Sequence, residues 1–265
     1  MDEANRITGE AVWEDRSSRS PREIARVLGS SFGTQPKKLI GGYWYKQDQK
    51  GYEGLAEYLV SHILLFSNAD HFVLYEQWEE NGRRGCRSKD FLEGSQAFVS
   101  FARIFQMYTQ EDLGQVLLSR RDLPDRIRFV REWFAENLQF DITGYLSKIL
   151  SLDALTLNVD RHLNNLGVIM DPEKGSVSEA PIFDNGAALL SDFSIFDPYD
   201  SLVENIEKAK GKPFFSDLMM QAKEAGFALH LDYEQVYVFL DQQKPHRAID
   251  ALRYQMEKYE NLFRM

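Results

Sequence analysis

Cysteine is nearly missing from this chain. Cys86 stands alone in 265 residues, which excludes an intramolecular disulfide and any zinc site built from several thiolates, and makes a reducing compartment the simplest setting. Long apolar runs are missing too: nothing approaches the ~18 residues that read as a membrane span. Residues 1–20 are charged and lack the apolar core of a secretory signal. We therefore expect a cytoplasmic protein with no membrane partner, a pattern that also fits an effector exported without such a signal. The five histidines, His62, His71, His162, His230 and His246, form no His-Glu-x-x-His pair, so zinc hydrolysis has no support. Positive charge is in deficit, with 31 Lys and Arg against 41 Asp and Glu and a net charge of -10. Nucleic-acid affinity rests on clustered Lys and Arg, so no direct nucleic-acid binding is expected. The pairs Arg83-Arg84 and Arg120-Arg121 are assigned to solvated turns or partner contacts. There is no internal repeat and no low-complexity segment, which sets repeat architectures aside. The length allows one domain or two small lobes working as one unit.

What the chain does contain is concentrated in Asp160-Arg161-His162-Leu163-Asn164-Asn165 and in Ile182-Phe183-Asp184-Asn185-Gly186. Between them, Leu166-Gly167-Val168-Ile169-Met170 reads as a buried strand, Asp171-Pro172-Glu173-Lys174-Gly175 as a turn, and Ala180-Pro181-Ile182-Phe183 as the returning strand. A fold about Lys174 and Gly175 places Asn165 opposite Asp184, and cross-strand partners lie about 4.5–5.5 Å apart at Cα. An amide oxygen and a carboxylate so placed can share a hard cation. Magnesium prefers oxygen ligands and keeps several waters while bridging to substrate phosphates, so two protein ligands suffice. Asp160 is left to orient or deprotonate an attacking hydroxyl. Protein kinases distribute these roles in the same way. Each residue alone is an ordinary turn former; their combination around a hairpin is what points to phosphoryl transfer. Asn164 competes with Asn165 on spacing alone, and the hairpin register favours Asn165, leaving Asn164 to face solvent or form a turn. His162 is read as a structural hydrogen-bonding residue with no chemical step.

The N-terminal third contains pieces of a nucleotide-binding lobe. Ser20-Pro21-Arg22-Glu23 carries a capping residue, a first-turn proline and an early acid, which predicts a short helix over residues 24–28. Gly29-Ser30-Ser31-Phe32-Gly33-Thr34 supplies small residues whose backbone amides can approach phosphates, although GxGxxG is lacking. Residues 38–46 predict a strand, or a strand pair broken at Gly41-Gly42, ending on Lys46, a cation suited to phosphate oxygens. Residues 52–66 read as a helix on which Glu57 faces an apolar surface. A buried acid needs a partner; Lys46 is the candidate, with Glu53 as the competing acid one turn earlier. Residues 71–77 read as a strand, and residues 79–84 as a polar turn.

Beyond residue 95 the pattern becomes helical, with helices expected over 97–107, 111–118, 123–138, 142–157, 201–208, 213–225, 233–242 and 247–263. In the third of these, Ile127, Val130, Phe134 and Leu138 form a core stripe. Strands and helices segregate along the chain, which predicts the α+β class: a small mixed N-lobe over residues 1–94 and a mainly helical C-lobe over 95–265.

The segments Gly33-Thr34-Gln35-Pro36-Lys37, Trp44-Tyr45-Lys46, Asn158 to Asn165 and Pro181 to Gly186 resemble the HipA-like serine/threonine kinases of bacteria. The resemblance runs with gaps from about residue 28 onward and suggests a short form lacking the extra N-terminal subdomain of full-length members. It implies a bilobal protein-kinase-like fold that uses ATP and Mg2+ to phosphorylate a protein hydroxyl. Asp160 would be the catalytic residue and Asn165 and Asp184 the metal ligands. Lys46, oriented by Glu57, would serve the ATP phosphates together with the Ser31, Gly33 and Thr34 loop. It further implies Ser30 as an autophosphorylation site and an antitoxin or regulatory partner beside the protein substrate. The added charge of a phosphoserine at that loop would repel ATP. Two other readings compete. An Asp-Arg-His-x-x-Asn run also resembles phosphoinositide-type lipid kinases, against which the acidic balance weighs. A partner-binding pseudokinase is the other, against which the complete Lys, Asp, Asn and Asp set weighs. Transfer of AMP in place of phosphate would use the same metal-binding residues.

Overall fold

The computed structural model describes residues 37–265. The helix expected over 24–28 and the loop with Ser30, Ser31, Gly33 and Thr34 lie outside the described residues. Strands β1 (Lys37–Ile40) and β2 (Tyr43–Gln47) are joined at Gly41 and Gly42, whose φ angles are 58° and 79°. A two-residue hairpin loop of type I′ needs positive φ at both positions, which glycine adopts without steric cost. After helix α1 (Glu53–Ile63) and a short 3-10 turn, β3 (Tyr75–Glu80) and β4 (Arg83–Lys89) form a second hairpin about Asn81 and Gly82. The four strands make an antiparallel sheet in the order β1-β2-β4-β3.

The strand expected at residues 71–77 begins regularly only at Tyr75. The polar turn expected over 79–84 shrinks to Asn81-Gly82, because Arg83 and Arg84 already pair with Glu80 and Glu79 in β4.

Helix α1 lies close against this sheet at two glycines. A Cβ on Gly54 would meet the Gly85 carbonyl carbon at 2.4 Å, and one on Gly85 would meet the Lys46 carbonyl oxygen at 2.0 Å. Backbone cannot yield as a flexible side chain can. Gly85→Ala is therefore expected to cost about 1–3 kcal/mol, typical of overpacking, and to displace the strand that carries Lys46. Denaturant titration and ATP affinity measured on the same variant check both effects.

A second antiparallel sheet, β5-β6-β7, comprises β5 (Ala97–Ser100), β6 (Gly167–Asp171) and β7 (Ser176–Glu179). The helix expected over 97–107 starts later than predicted. Ala97 to Ser100 pair with β6, and the Ser100 side chain caps helix α2 (Phe101–Thr109) by accepting from the Arg103 N–H at 3.2 Å. The β6–β7 register also differs from expectation. Val168 faces Glu179 and Asp171 faces Ser176, so a four-residue loop replaces the tighter turn about Lys174 and Gly175. Asp171 Oδ1 organises that loop by accepting from the N–H groups of Glu173 and Lys174. Beyond Ala180, whose N–H still donates to the Gly167 carbonyl, the chain leaves β6: Ile182 exchanges backbone hydrogen bonds with His71 and Val73, each at 2.9 Å.

The remainder is helical: α3 (Leu113–Ser119), α4 (Leu123–Leu138), α5 (Thr143–Thr156), α6 (Leu202–Lys208), α7 (Leu218–Ala225), α8 (Tyr233–Asp241), α9 (Arg247–Lys258) and α10 (Glu260–Phe263). The fold is α+β, as the segregated pattern predicts. Helix α5 is buried over most of its length and packs against α7 and α9. One apolar cluster runs from Leu59, Val60 and Ile63 of α1 through Val168 and Met170 to Leu252 and Met256 of α9. It delivers the end of α5 and the segment after Phe183 to one cleft facing β2. No helix among the described residues is long and apolar enough to cross a membrane.

Candidate active site

Lys46 enters the cleft from β2. Its Nζ donates to Glu57 Oε1 at 2.7 Å and to Asp184 Oδ1 at 2.6 Å, and lies 5.2 Å from the centre of the Tyr75 ring. Glu57 projects from α1 with 1% exposure, and its second oxygen accepts the Asn185 N–H at 2.7 Å. Glu53 does not compete for Lys46. It accepts the N–H groups of Gln49, Lys50 and Gly51 and so shapes the entry to α1. A carboxylate as deeply buried as Glu57 would be costly without a cation, and Lys46 supplies one.

Burial disfavours the Lys46 ammonium, but Asp184 and Glu57 outweigh it and hold the pKa well above the ordinary lysine value. Burial likewise opposes ionisation of Asp184, and the opposing attraction of Lys46, with Arg161 farther off, brings it down to about 2. Asp184 also sits at φ 61°, a left-handed conformation that Asp tolerates better than most side chains. Phe183 beside it is wedged between the Phe91 and Phe98 rings, at 5.5 and 5.1 Å between centres.

The opposite wall is built at the end of α5. Leu157 turns the chain out of the helix at φ 58°, Asn158 Nδ2 donates to Asp153 Oδ1, and Asn158 Oδ1 accepts the Asp160 N–H at 3.1 Å. Arg161 is wholly buried. Its Nε and Nη2 donate to the two Asp153 oxygens at 2.9 Å each, while Nη1 donates to the Phe183 carbonyl at 2.7 Å and Nη2 to Asn185 Oδ1 at 2.6 Å. Arg161 thus ties the Asp160–Asn165 run to the strand end that presents Asp184.

Asn165, 4% exposed, donates from Nδ2 to Asp184 Oδ2 at 2.5 Å and accepts the His162 N–H on Oδ1. The two residues meet, but not as cross-strand partners: the ladder ends at Val168 and Glu179, and the loops beyond it converge. Asn164 is exposed and accepts from Ser100 Oγ. His162 Nδ1 is buried and finds no hydrogen-bond partner among the described residues. Asp160 is exposed toward the cleft and accepts from Lys212.

Sequence reasoning missed Arg161, Asp153 and Asn185. A signal existed in Leu152-Asp153-Ala154-Leu155, an acid among apolar residues on a helix bound for the core, which requires a buried cation.

The segment that follows is stapled to the start of α1. The Tyr52 hydroxyl donates to the carbonyls of Leu189 and Leu190 at 2.7 and 2.9 Å. Gly51 bridges Asp192, the Phe193 N–H donates to the Lys50 carbonyl, and Lys50 Nζ pairs with Asp192 at 2.9 Å. A side chain at Gly51 would meet the Ser191 carbonyl oxygen at 2.0 Å.

No family model matches the chain, and no curated protein matches it in sequence. Solved structures do match. The proinflammatory kinase CtkA of Helicobacter pylori superposes with a TM-score of 0.59 at 14% identity, covering 89% of this chain and 90% of its own. A chain of the Shewanella oneidensis MR-1 toxin-antitoxin complex of HipA, HipB and operator DNA superposes at 0.50 and 11% identity, covering 88% of this chain and 66% of its own. The fold is that of the HipA-like kinases.

Within that HipA-like fold, Asp184 and Asn165 offer the chemistry of a hard-cation site. Turning the Asn165 amide would present Oδ1 beside Asp184 Oδ2 in place of Nδ2. Among the described residues no group of three or more His, Cys, Asp or Glu side chains is placed to hold a metal alone. The donor set therefore suits an ion that takes its remaining ligands from phosphates and water.

The position of Asp184 also has a pH signature. Because its folded-state pKa, about 2, lies below the ordinary 3.8, its ionised form contributes stability above pH 3.8 that is lost as the pH falls through 2. The stability gap between the natural chain and Asp184→Asn is expected to stay constant near neutral pH and to close across that acid window, as read by denaturant midpoints.

Proposed function

We propose that the protein is an ATP- and Mg2+-dependent serine/threonine protein kinase that transfers the ATP γ-phosphoryl group to a protein hydroxyl. The observation that carries this reading is the single linkage Glu57–Lys46–Asp184–Asn165, with Asp160 exposed beside it. One wall is an oriented cation and the other a carboxylate–amide pair, with an exposed acid, paired to Lys212, at the mouth. In this reading residues 1–94 form the nucleotide-binding lobe and 95–265 the helical lobe. Lys46, held by Glu57, binds phosphate oxygens with the help of the Ser31, Gly33 and Thr34 backbone. Asn165 and Asp184 would hold magnesium, which when bound offsets charge on the β- and γ-phosphoryl oxygens. Asp160 receives the acceptor proton as the hydroxyl oxygen bonds to the γ-phosphorus and the bond to ADP breaks. Arg161 keeps the two walls in register.

Incubation with radiolabelled ATP and magnesium against whole-cell lysate tests the proposal. Label on protein with the natural chain and none with Asp160→Asn supports it. Label confined to phosphoinositide vesicles, or magnesium-dependent ATP binding without turnover, sinks it. The same reaction, followed by mass spectrometry of the Ser30-Ser31 peptide, tests autophosphorylation, which an unmodified peptide rules out. By likeness to the HipA, HipB complex, an antitoxin or regulatory protein is the proposed partner, and the cytoplasm the proposed location.

A further inference from the structure

Lys212 reaches the cleft from a remote loop. Its Nζ donates to Asp160 Oδ1 at 2.9 Å across 52 residues of sequence, and the two side chains keep 57% and 54% exposure. An exposed ion pair adds little to stability, so stability does not account for the construction beneath it. The loop between α6 and α7 is closed by the Gly211 N–H donating to the Ser216 carbonyl at 2.7 Å. Phe214 is fully buried. The buried Gln221 Oε1 accepts the N–H groups of Phe214 and Phe215 at 3.0 and 3.3 Å, and Arg126 Nη1 donates to the Phe214 carbonyl at 2.7 Å. A Cβ on Gly211 would meet Gln221 Nε2 at 2.3 Å and the Phe215 carbonyl at 3.0 Å. The base of the loop is fixed from the core, the chain and α4, while the Lys212 side chain stands in solvent.

The cleft has a place for this cation. The run from Asp160 to Asn165 contains no lysine, and Lys46 is committed to Glu57 and Asp184 on the far wall. Lys50, whose field also reaches Asp160, is paired with Asp192. In a chain of net charge -10, a rigidly presented lysine on the candidate base calls for a role at the reacting atoms.

We infer that Lys212 is a further catalytic residue of the proposed kinase, orienting Asp160 before transfer and contacting the γ-phosphoryl oxygens as they pass to the acceptor. The inference rests on the kinase reading. In the step, the acceptor hydroxyl oxygen bonds to the γ-phosphorus and its proton goes to Asp160. The bond from γ-phosphorus to the β,γ-bridging oxygen breaks, with its electron pair left on ADP. Lys212 keeps its proton throughout and offsets charge on the group in transit. With Lys212 on Oδ1, the carboxylate presents Oδ2 to the hydroxyl.

The test compares the natural chain with Lys212→Met, Lys212→Arg, Lys212→Cys and Asp160→Asn in labelled-ATP transfer, with melting curves to confirm folding. Removing a positioned electrostatic donor from a transition state lowers kcat by about 10²-fold or more in enclosed sites, and for this exposed lysine a loss of about 10- to 100-fold is expected. KM for ATP should move less than about threefold, and Lys212→Arg should retain part of kcat. Cys86 is the sole natural cysteine and is buried, so 2-bromoethylamine will alkylate Lys212→Cys selectively and restore an ammonium at similar reach. Recovered transfer supports the inference. An unchanged kcat in Lys212→Met, with Asp160→Asn inactive, overturns this inference and leaves the kinase reading standing. A loss that neither arginine nor alkylation restores also overturns it, as a structural lesion. Absence of transfer by the natural chain overturns both readings together.

Discussion

Asp184→Asn is expected to abolish phosphoryl transfer, by at least about 10³-fold, without unfolding the protein. The substitution preserves shape but removes the negative charge of the only carboxylate in the proposed metal pair. It also leaves Lys46 with Glu57 as its one paired anion among the described residues, since Asp184 Oδ1 is the second partner at 2.6 Å. In phosphoryl transfer the protein contributes mainly position and electrostatics, so an uncharged isostere at this point removes most of what the site offers. Asp160→Asn should give a similar loss of turnover for another reason, and the two are separable. Asp160 makes no contact with Lys46 or Asn165, so its variant should keep magnesium-dependent ATP affinity, whereas Asp184→Asn should lose it. Transfer assays and nucleotide titration with and without magnesium read the difference. An Asp184→Asn protein that keeps a tenth of natural activity would remove Asp184 from the metal role.

The second large effect concerns stability. Arg161→Met is expected to destabilise the fold by about 3–5 kcal/mol, the usual consequence of stranding a buried charge. Asp153, 1% exposed, would lose both guanidinium contacts and keep only Asn158. For a chain of this length each kcal/mol corresponds to roughly 2–4 °C in Tm, so a drop on the order of 10 °C should be visible by calorimetry. The double variant Arg161→Met with Asp153→Leu should recover much of the loss, because an apolar pair replaces a buried ionic one at little net cost. Transfer activity should not recover with it. The Phe183 carbonyl and Asn185 Oδ1 would still lack the donors that hold Asp184 in place. If activity returned with stability, Arg161 would be a fold residue alone.

The parts of this molecule that announce themselves in sequence are those governed by local chemistry. Gly41-Gly42 reads as a turn because its φ angles demand glycine, and helix α4 is bounded by the Asp122 cap and the loss of apolar period after Leu138. Asn81-Gly82 is an equally strong hairpin signal, but the charged residues flanking it obscure it. What local chemistry does not supply is register. The loop at Pro172 to Gly175 is set by the Asp171 side chain bonding two backbone N–H groups, and residues 180–183 are drawn to His71 and Val73, a contact distant in the chain. Asn165 and Asp184 are nevertheless together, because Arg161 and the Phe183 ring cluster hold the converging loops. Asp160 and Lys212 belong to the same class: no spacing rule relates residues 52 apart.

The staple between Gly51, Tyr52 and the segment around Leu189 to Phe193 has a mechanical consequence. The connection that leads into the Glu57 helix and the segment that follows Asp184 are fastened by backbone bonds, the Lys50–Asp192 ion pair and one buried tyrosine. A force on either side of that seam would disturb Glu57 and Asp184 together, because the segment after Asp184 and the entry to the Glu57 helix are one fastened piece.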